Sequence, residues 1–212
     1  MSHYIRPRVP GAVVFFTVTL AARGSDLLVR EVEALRHAVR VTRLERPFGI
    51  NAWVVLPDHM HCVWTLPEGD ADFSTRMGAI KGRFSRQVRR SGLAPTLPRQ
   101  NPHGATAGRV RLGEFKRVGA SPDLRGVLGT SGFTQAERAE VAARVGANPA
   151  LRSEAPIWQK RFWEHHIRDG ADYRNHIRYC WINPVKHGFV ARPEDWPPTS
   201  VHRDIREGRY SP

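Results

Sequence analysis

Two histidines separated by one residue, in Asp58-His59-Met60-His61-Cys62, are the part of this 212-residue sequence best suited to holding a metal ion. Side chains of a strand alternate between its faces, so His59 and His61 point one way while Met60 and Cys62 point the other. Two imidazoles on one face can share a cation. Without cysteine in the ligand set, imidazole suits Zn, Mn, Fe or Ni, and an amide or carboxylate as third ligand opens the site to Mg or Mn and to phosphate chemistry. A second pair, Tyr179 and Asn183, lies four residues apart and therefore on one face of a helix. A phenol is a weak nucleophile at its ordinary pKa near ~10 and needs a base or a metal-polarised electrophile beside it. The structural alternatives are a half-buried histidine pair and a core tyrosine followed by a helix-capping asparagine.

These residues need elements to position them. Residues 13–20 (VVFFTVTL) form a dense β-branched and aromatic run closed by a turn, which predicts a buried strand. Residues 27–44 follow as a helix, with Leu28, Val32, Leu35, Val39 and Thr42 recurring at three and four residues, and Pro47 stops it. Residues 49–56 (GINAWVVL) and 59–66 (HMHCVWTL) read as a hairpin broken at Pro57-Asp58. Residues 73–90 form a second, very basic helix. The order β-α-β-β-α is most of a ferredoxin-like, α+β split unit, and residues 157–167 (IWQKRFWEHHI) suit its missing last strand. A final helix spans 172–182, with Asn183-Pro184 ending it, and the tail 185–212 packs over the domain through Phe189, Val190 and Trp196. Between these parts, residues 91–156 are rich in Gly, Pro and Arg and read as an insertion, with one short helix at 134–145. The domain would thus be split into residues 1–90 and 157–212.

Composition narrows the partners. A hydrophobic fraction of 41% with 25% charged residues is ordinary for a globular chain and excludes wholesale disorder. Lys+Arg total 33 against 20 Asp+Glu, a net charge of +13 that favours a polyanion. Nucleic acid ranks ahead of an anionic membrane, because no helix pairs a broad apolar face with a lysine-rich one. Arg76, Lys81, Arg83, Arg86, Arg89 and Arg90 on the basic helix are candidate phosphate contacts. Trp158, Phe162 and Trp163, beside Lys160 and Arg161, could stack bases or simply fill a core strand. Only Cys62 and Cys180 are present, which fits a reducing compartment, and no apolar run suggests a leader or membrane span, so a cytoplasmic location is expected. Dinucleotide, P-loop and serine-hydrolase motifs are missing.

The combination resembles the single-tyrosine HUH transposases of the IS200 type, and more closely their domesticated branch, the REP-associated tyrosine transposases. The resemblance is carried by FFTVTL (15–20), INAWVVLPDHMHCVWTLPEGDADFSTR (50–76), IWQKRFWEHHIRDGADYRNHIRYCWINPVKHGFV (157–190) and DWPPTSVHRDI (195–205). It implies that His59 and His61 ligate a divalent metal, Mg or Mn, and that Tyr179 is the nucleophile. Asn183 would complete the metal sphere where IS200-type relatives carry a glutamine. It further implies cleavage and rejoining of single-stranded DNA at hairpin-forming extragenic palindromes through a 5′-phosphotyrosine. DNA contacts would come from the basic helix, an N-terminal arm (Tyr4, Arg6, Arg8) and the tail, and the working unit would be a monomer, as in the REP-associated branch, with the shared-site dimer of IS200-type relatives as the alternative. Asp58 and His165 or His166 could act in proton transfer or in orienting ligands. Two other readings stand beside it: a DNA-binding protein without cleavage, and a zinc hydrolase built on His59, His61 and His165 or His166.

Overall fold

In the computed structural model, whose described residues are 7–92 and 156–210, four strands form one antiparallel sheet in the order β2-β3-β1-β4. The strands are β1 (Val13–Thr19), β2 (Gly49–Val55), β3 (His59–Thr65) and β4 (Trp163–His166). Crossing from β1 to β2 through helices leaves room for one strand between them, and β3 fills it by folding back from β2 through the Pro57-Asp58 break. β3 then pairs β1 from Val13↔Thr65 to Thr19↔His59, which puts His61 opposite Thr17. The split β-α-β arrangement expected from the sequence is present.

Helices cover both sheet faces. On one face, α2 (Val32–Glu45) and α3 (Phe73–Arg90) lay Leu35, Val39, Met77, Ile80, Phe84 and Val88 against Val14, Phe16, Val18, Met60, Cys62 and Trp64. Asp72 caps α3 by accepting from the Thr75 amide at 3.0 Å. On the other face, α4 (Gly170–Lys186) sets Ile177 and Cys180 against Phe15, Ala52, Val54 and Val63. Asp169 caps α4 by accepting from the amides of Ala171 and Asp172 at 2.8 and 2.9 Å. β3 is therefore buried on both sides along all but its last residue. That is why its sequence lacks the alternation of a half-exposed strand.

Three boundaries differ from the sequence expectation. The helix predicted over 27–44 is broken at Glu31 into α1 (Leu27–Arg30) and α2, with Leu27 and Leu28 buried and the Leu28 amide bonded to the Pro57 carbonyl at 3.1 Å. Of the strand predicted over 157–167, only Trp163–His166 pairs continuously; Trp158 forms an isolated bridge with Leu20. Between those contacts β1 has residues 18 and 19 whereas the partner segment has 159–162, so the surplus is looped out. Helix α4 continues past Asn183-Pro184 to Lys186. Pro184 lacks only one amide, late in the helix, and the chain turns off at Gly188, whose φ of +71° a side chain would strain.

The tail locks the sheet edge. A bulge at Asn51 leaves the carbonyls of Ile50 and Asn51 off the ladder, and Arg203 on α5 (Val201–Arg206) donates to both. Trp196 donates to the Val55 carbonyl at 2.8 Å, as the expected tail packing requires. The insertion's helix at 134–145 and the N-terminal residues Tyr4 and Arg6 lie outside the described residues.

Candidate active site

Strand alternation places both His59 and His61 on the α4 face. Their ring centroids are 5.1 Å apart, and each is buried. The Nδ1 of His59 lies 2.7 Å from Asp58 Oδ1. Asp58 can only accept while ionised, so Nδ1–H donates and the ring turns Nε2 away from the carboxylate. Burial raises the Asp58 pKa, yet the His59 hydrogen bond, the Gly24 amide and the Arg23 guanidinium outweigh it and hold the carboxyl below its ordinary value. The Nδ1 of His61 lies 2.9 Å from Thr17 Oγ1. In the tautomer that donates to this hydroxyl, its Nε2 is likewise available. Burial, reinforced by His59, His187 and Lys186, pushes the His61 pKa down to about 3, so the ring is neutral at physiological pH, as a ligand must be.

Helix α4 carries the facing groups at one-turn intervals. Tyr179 stands edge-on to His61 with centroids 5.0 Å apart, and eight residues later His187, at the helix C-cap, stands 5.2 Å from His59. Asn183 falls midway between them. It is 0% exposed, and neither its Oδ1 nor its Nδ2 has a hydrogen-bond partner among the described residues. A buried amide left unpaired costs about 1–3 kcal/mol, so its setting fits a group that ligates a cation when one is bound. His59 and His61, each engaged through Nδ1, and the orphaned Asn183 amide offer nitrogen and oxygen donors of the kind that suit Mg or Mn. Lys186 reaches back over the phenol, its Nζ 5.3 Å from the Tyr179 ring centre.

His187 and Lys186 were not singled out from the sequence. The Asn183-Pro184 pair read as a helix end and hid the i, i+4, i+8 row Tyr179, Asn183, His187, which was the signal available.

The third imidazoles proposed for a zinc hydrolase do not join this group. His166 points to the opposite sheet face, 5.7 Å from Phe73. His165 lies on the correct face, but its Nε2 is bonded to Asp172 at 2.8 Å, and the Phe15 and His176 rings lie between it and His61. His165, Asp172 and His176 form a separate cluster.

The basic helix needs a larger correction. Arg76 is 2% exposed and donates to Asp70 at 3.1 and 2.6 Å and to the carbonyls of Arg46, Pro47 and Asp72. Its positive charge is consumed inside the fold. Lys81 donates to the Gln159 carbonyl at 2.7 Å, and Arg83 is bonded to Thr42 and Glu45. Arg8, Arg86 and Arg90 are exposed and Arg89 is half-buried. All of α3 lies across the sheet from Tyr179. Of the three candidate stacking aromatics, Trp158 is buried and Phe162 packs on Phe16 and Phe73, which leaves Trp163.

No protein-family model matches the chain. Over 210 residues it is 38% identical to the REP-associated tyrosine transposase of Escherichia coli K12, taking in 99% of this chain and 88% of that protein. A Haemophilus influenzae protein of the same family description is 31% identical over 210 residues, 99% of this chain and 91% of that one. A solved structure of the REP-associated tyrosine transposase bound to a REP hairpin superposes with a TM-score of 0.66 at 37% identity, covering 100% of this chain and 89% of that one. With a phenol set against a paired-histidine strand, the chain is a tyrosine transposase of the HUH kind, a transesterase of single-stranded DNA. It belongs to the REP-associated tyrosine transposases.

Proposed function

We propose that this chain cleaves and rejoins single-stranded DNA beside hairpin-forming repetitive palindromes, with Tyr179 as nucleophile and His59, His61 and Asn183 as the ligands of one divalent cation, Mg or Mn. The observation that carries the reading is the 5.0 Å approach of the Tyr179 ring to His61, from elements more than a hundred residues apart in sequence. The phenol oxygen attacks phosphorus, and an Oη–P bond replaces the P–O3′ bond. The 3′-oxygen leaves with its electron pair and takes up a proton, while the phenol proton passes to solvent. The 5′-phosphotyrosine conserves the bond energy, so a free 3′-hydroxyl can reverse the step and join strands without ATP. When bound, the cation polarises the scissile phosphate and offsets charge on the departing oxygen. Asp58 and Thr17 hold the two imidazoles in the ligating tautomer, and Lys186 adds positive charge where the phosphate must sit.

A hairpin partner is supported by the relative solved with a REP hairpin and by the excess of cationic residues. A monomeric working unit is supported by the meeting of histidines and tyrosine within one protomer. Among the described residues no helix is long and apolar enough to cross a membrane; a DNA substrate supports a location in the bacterial cytoplasm. The test is incubation of the purified chain with a hairpin oligonucleotide bearing a single-stranded flank, with Mn, Mg or chelator. The reading expects a covalent adduct to the 5′-phosphate end of the fragment downstream of the break with either metal, none with chelator, and none from Tyr179→Phe. An undiminished adduct from Tyr179→Phe would remove the assigned nucleophile.

A further inference from the structure

We propose that Trp163, backed by the rings of His165 and His176, is the platform on which an unpaired base next to the cleaved phosphate stacks. This rests on the strand-transfer reading above. Trp163 is 56% exposed, and it belongs to edge strand β4 on the face that carries the active site. Its register partner on β1 is Thr17, the residue whose hydroxyl bonds His61. The Trp163 ring is parallel to that of His165 within 4° at 6.0 Å, and His165 is stacked on His176 at 4.8 Å and 20°. Both imidazoles are held by Asp172: its carboxylate bonds His165 Nε2 at 2.8 Å, and its backbone carbonyl lies 2.9 Å from His176 Nδ1, with the carboxylate at 3.0 Å. A stack pinned in this way is organised before a ligand arrives.

Phe15 ties the platform to the chemistry. Its buried ring contacts Trp163 at 5.8 Å and His176 at 4.7 Å on one side, and His61 at 5.6 Å and Tyr179 at 5.8 Å on the other. A strand whose phosphate lies between Tyr179 and the histidine pair therefore passes within one nucleotide or so of the exposed indole. Exposed Lys160, Arg161 and Arg168 supply charge for its backbone. An indole face accepts any base, with a gain of roughly 5- to 100-fold in binding per stacked base.

The experiment walks an abasic residue through the nucleotides flanking the cleavage point of a hairpin oligonucleotide, using the full chain and its Trp163→Ala and Trp163→Phe variants. Binding is read by fluorescence anisotropy without metal, and adduct formation with Mn. Wild type should lose about 5- to 100-fold in binding at one abasic position. Trp163→Ala should lose as much on the intact oligonucleotide and nothing more at that position, and Trp163→Phe should recover most of the loss. Melting temperatures guard against misfolding. Losses that multiply instead of merging, or wild-type binding by Trp163→Ala, would overturn the platform. So would a wild-type dimer that Trp163→Ala converts to monomer with unchanged DNA binding, since the indole would then cover a second copy of the chain. Failure of the strand-transfer reading looks different: wild type forms no adduct on any oligonucleotide, while the binding arm still reports on Trp163.

Discussion

At the residue scale the candidate site rests on the side chains that orient its imidazoles. Asp58 and Thr17 orient the imidazoles, and losing such a partner lowers metal affinity or activity by about 10- to 100-fold. Asp58→Asn is expected to fall in that range in a Mn titration of adduct formation, with little change in maximal binding of the oligonucleotide. Asn183 makes a sharper case. Its amide is buried without hydrogen-bond partners among the described residues, so Asn183→Ala should leave the melting temperature of the metal-free chain within a few degrees of wild type. The stabilisation that Mn confers on wild type by mass action should shrink or vanish in the variant, and a differential thermal-shift measurement checks both halves. The histidine pair, Tyr179 and Asn183 were legible because period-2 and period-3.6 spacing fixes which side chains share a face. Thr17, Asp172 and His176 were not, since their importance comes from the pairing register of strands far apart in sequence. Arg76 was misread because an arginine buried against carbonyls has the same letter as one facing solvent.

At the element scale, α4 must sit on the sheet in one place for the phenol to meet His61. Two fastenings hold it. At its start the Asp172 carboxylate faces His165 from β4, Arg168 from the preceding loop and His176 from its own helix. The His165 hydrogen bond, ahead of those from Arg168, holds the Asp172 carboxyl well below the ordinary carboxylate range. A depressed folded-state pKa stabilises fully above the unfolded value of ~3.9 and loses that stabilisation as pH falls further. The wild-type melting temperature should therefore decline between pH 5 and 3 more steeply than that of Asp172→Asn. At the other end, the tail is pinned by Arg203 and Asp204, 7% and 1% exposed, with Asp204 also accepting from the Trp181 indole of α4 at 2.9 Å. Asp204 keeps Arg209 at 2.7 Å, so Arg203→Ala chiefly strips the Ile50 and Asn51 carbonyls of their donor and should cost about 1–3 kcal/mol in urea unfolding. The helix positions were readable from periodicity, whereas the break at Glu31, the shortened β4 and the passage of α4 through Pro184 reflect tertiary fits that override local signals.

For the whole molecule, the three-layer arrangement separates two jobs. Tyr179 and the histidine pair, the proposed site of strand cleavage, lie on the α4 face, and the exposed cations of α3, Arg86 and Arg90, are on the other. If they contact DNA, they contact a different part of the hairpin. Joint replacement of Arg86 and Arg90 by Ala should weaken hairpin binding and lower its salt slope by about one per lost phosphate contact. Turnover of a short strand lacking the hairpin should be unchanged. The strand order followed from the element order of a split β-α-β unit, whereas the burial of β3 on both faces reflects the packing of α4, which local spacing does not specify.

The most direct measurement is proteolysis of the trapped protein–DNA adduct followed by mass spectrometry of the nucleotide-bearing peptide. The chain holds four tyrosines. The account predicts the phosphodiester on Tyr179 alone; a nucleotide carried by Tyr4, Tyr173 or Tyr210, or by any other residue, would contradict it.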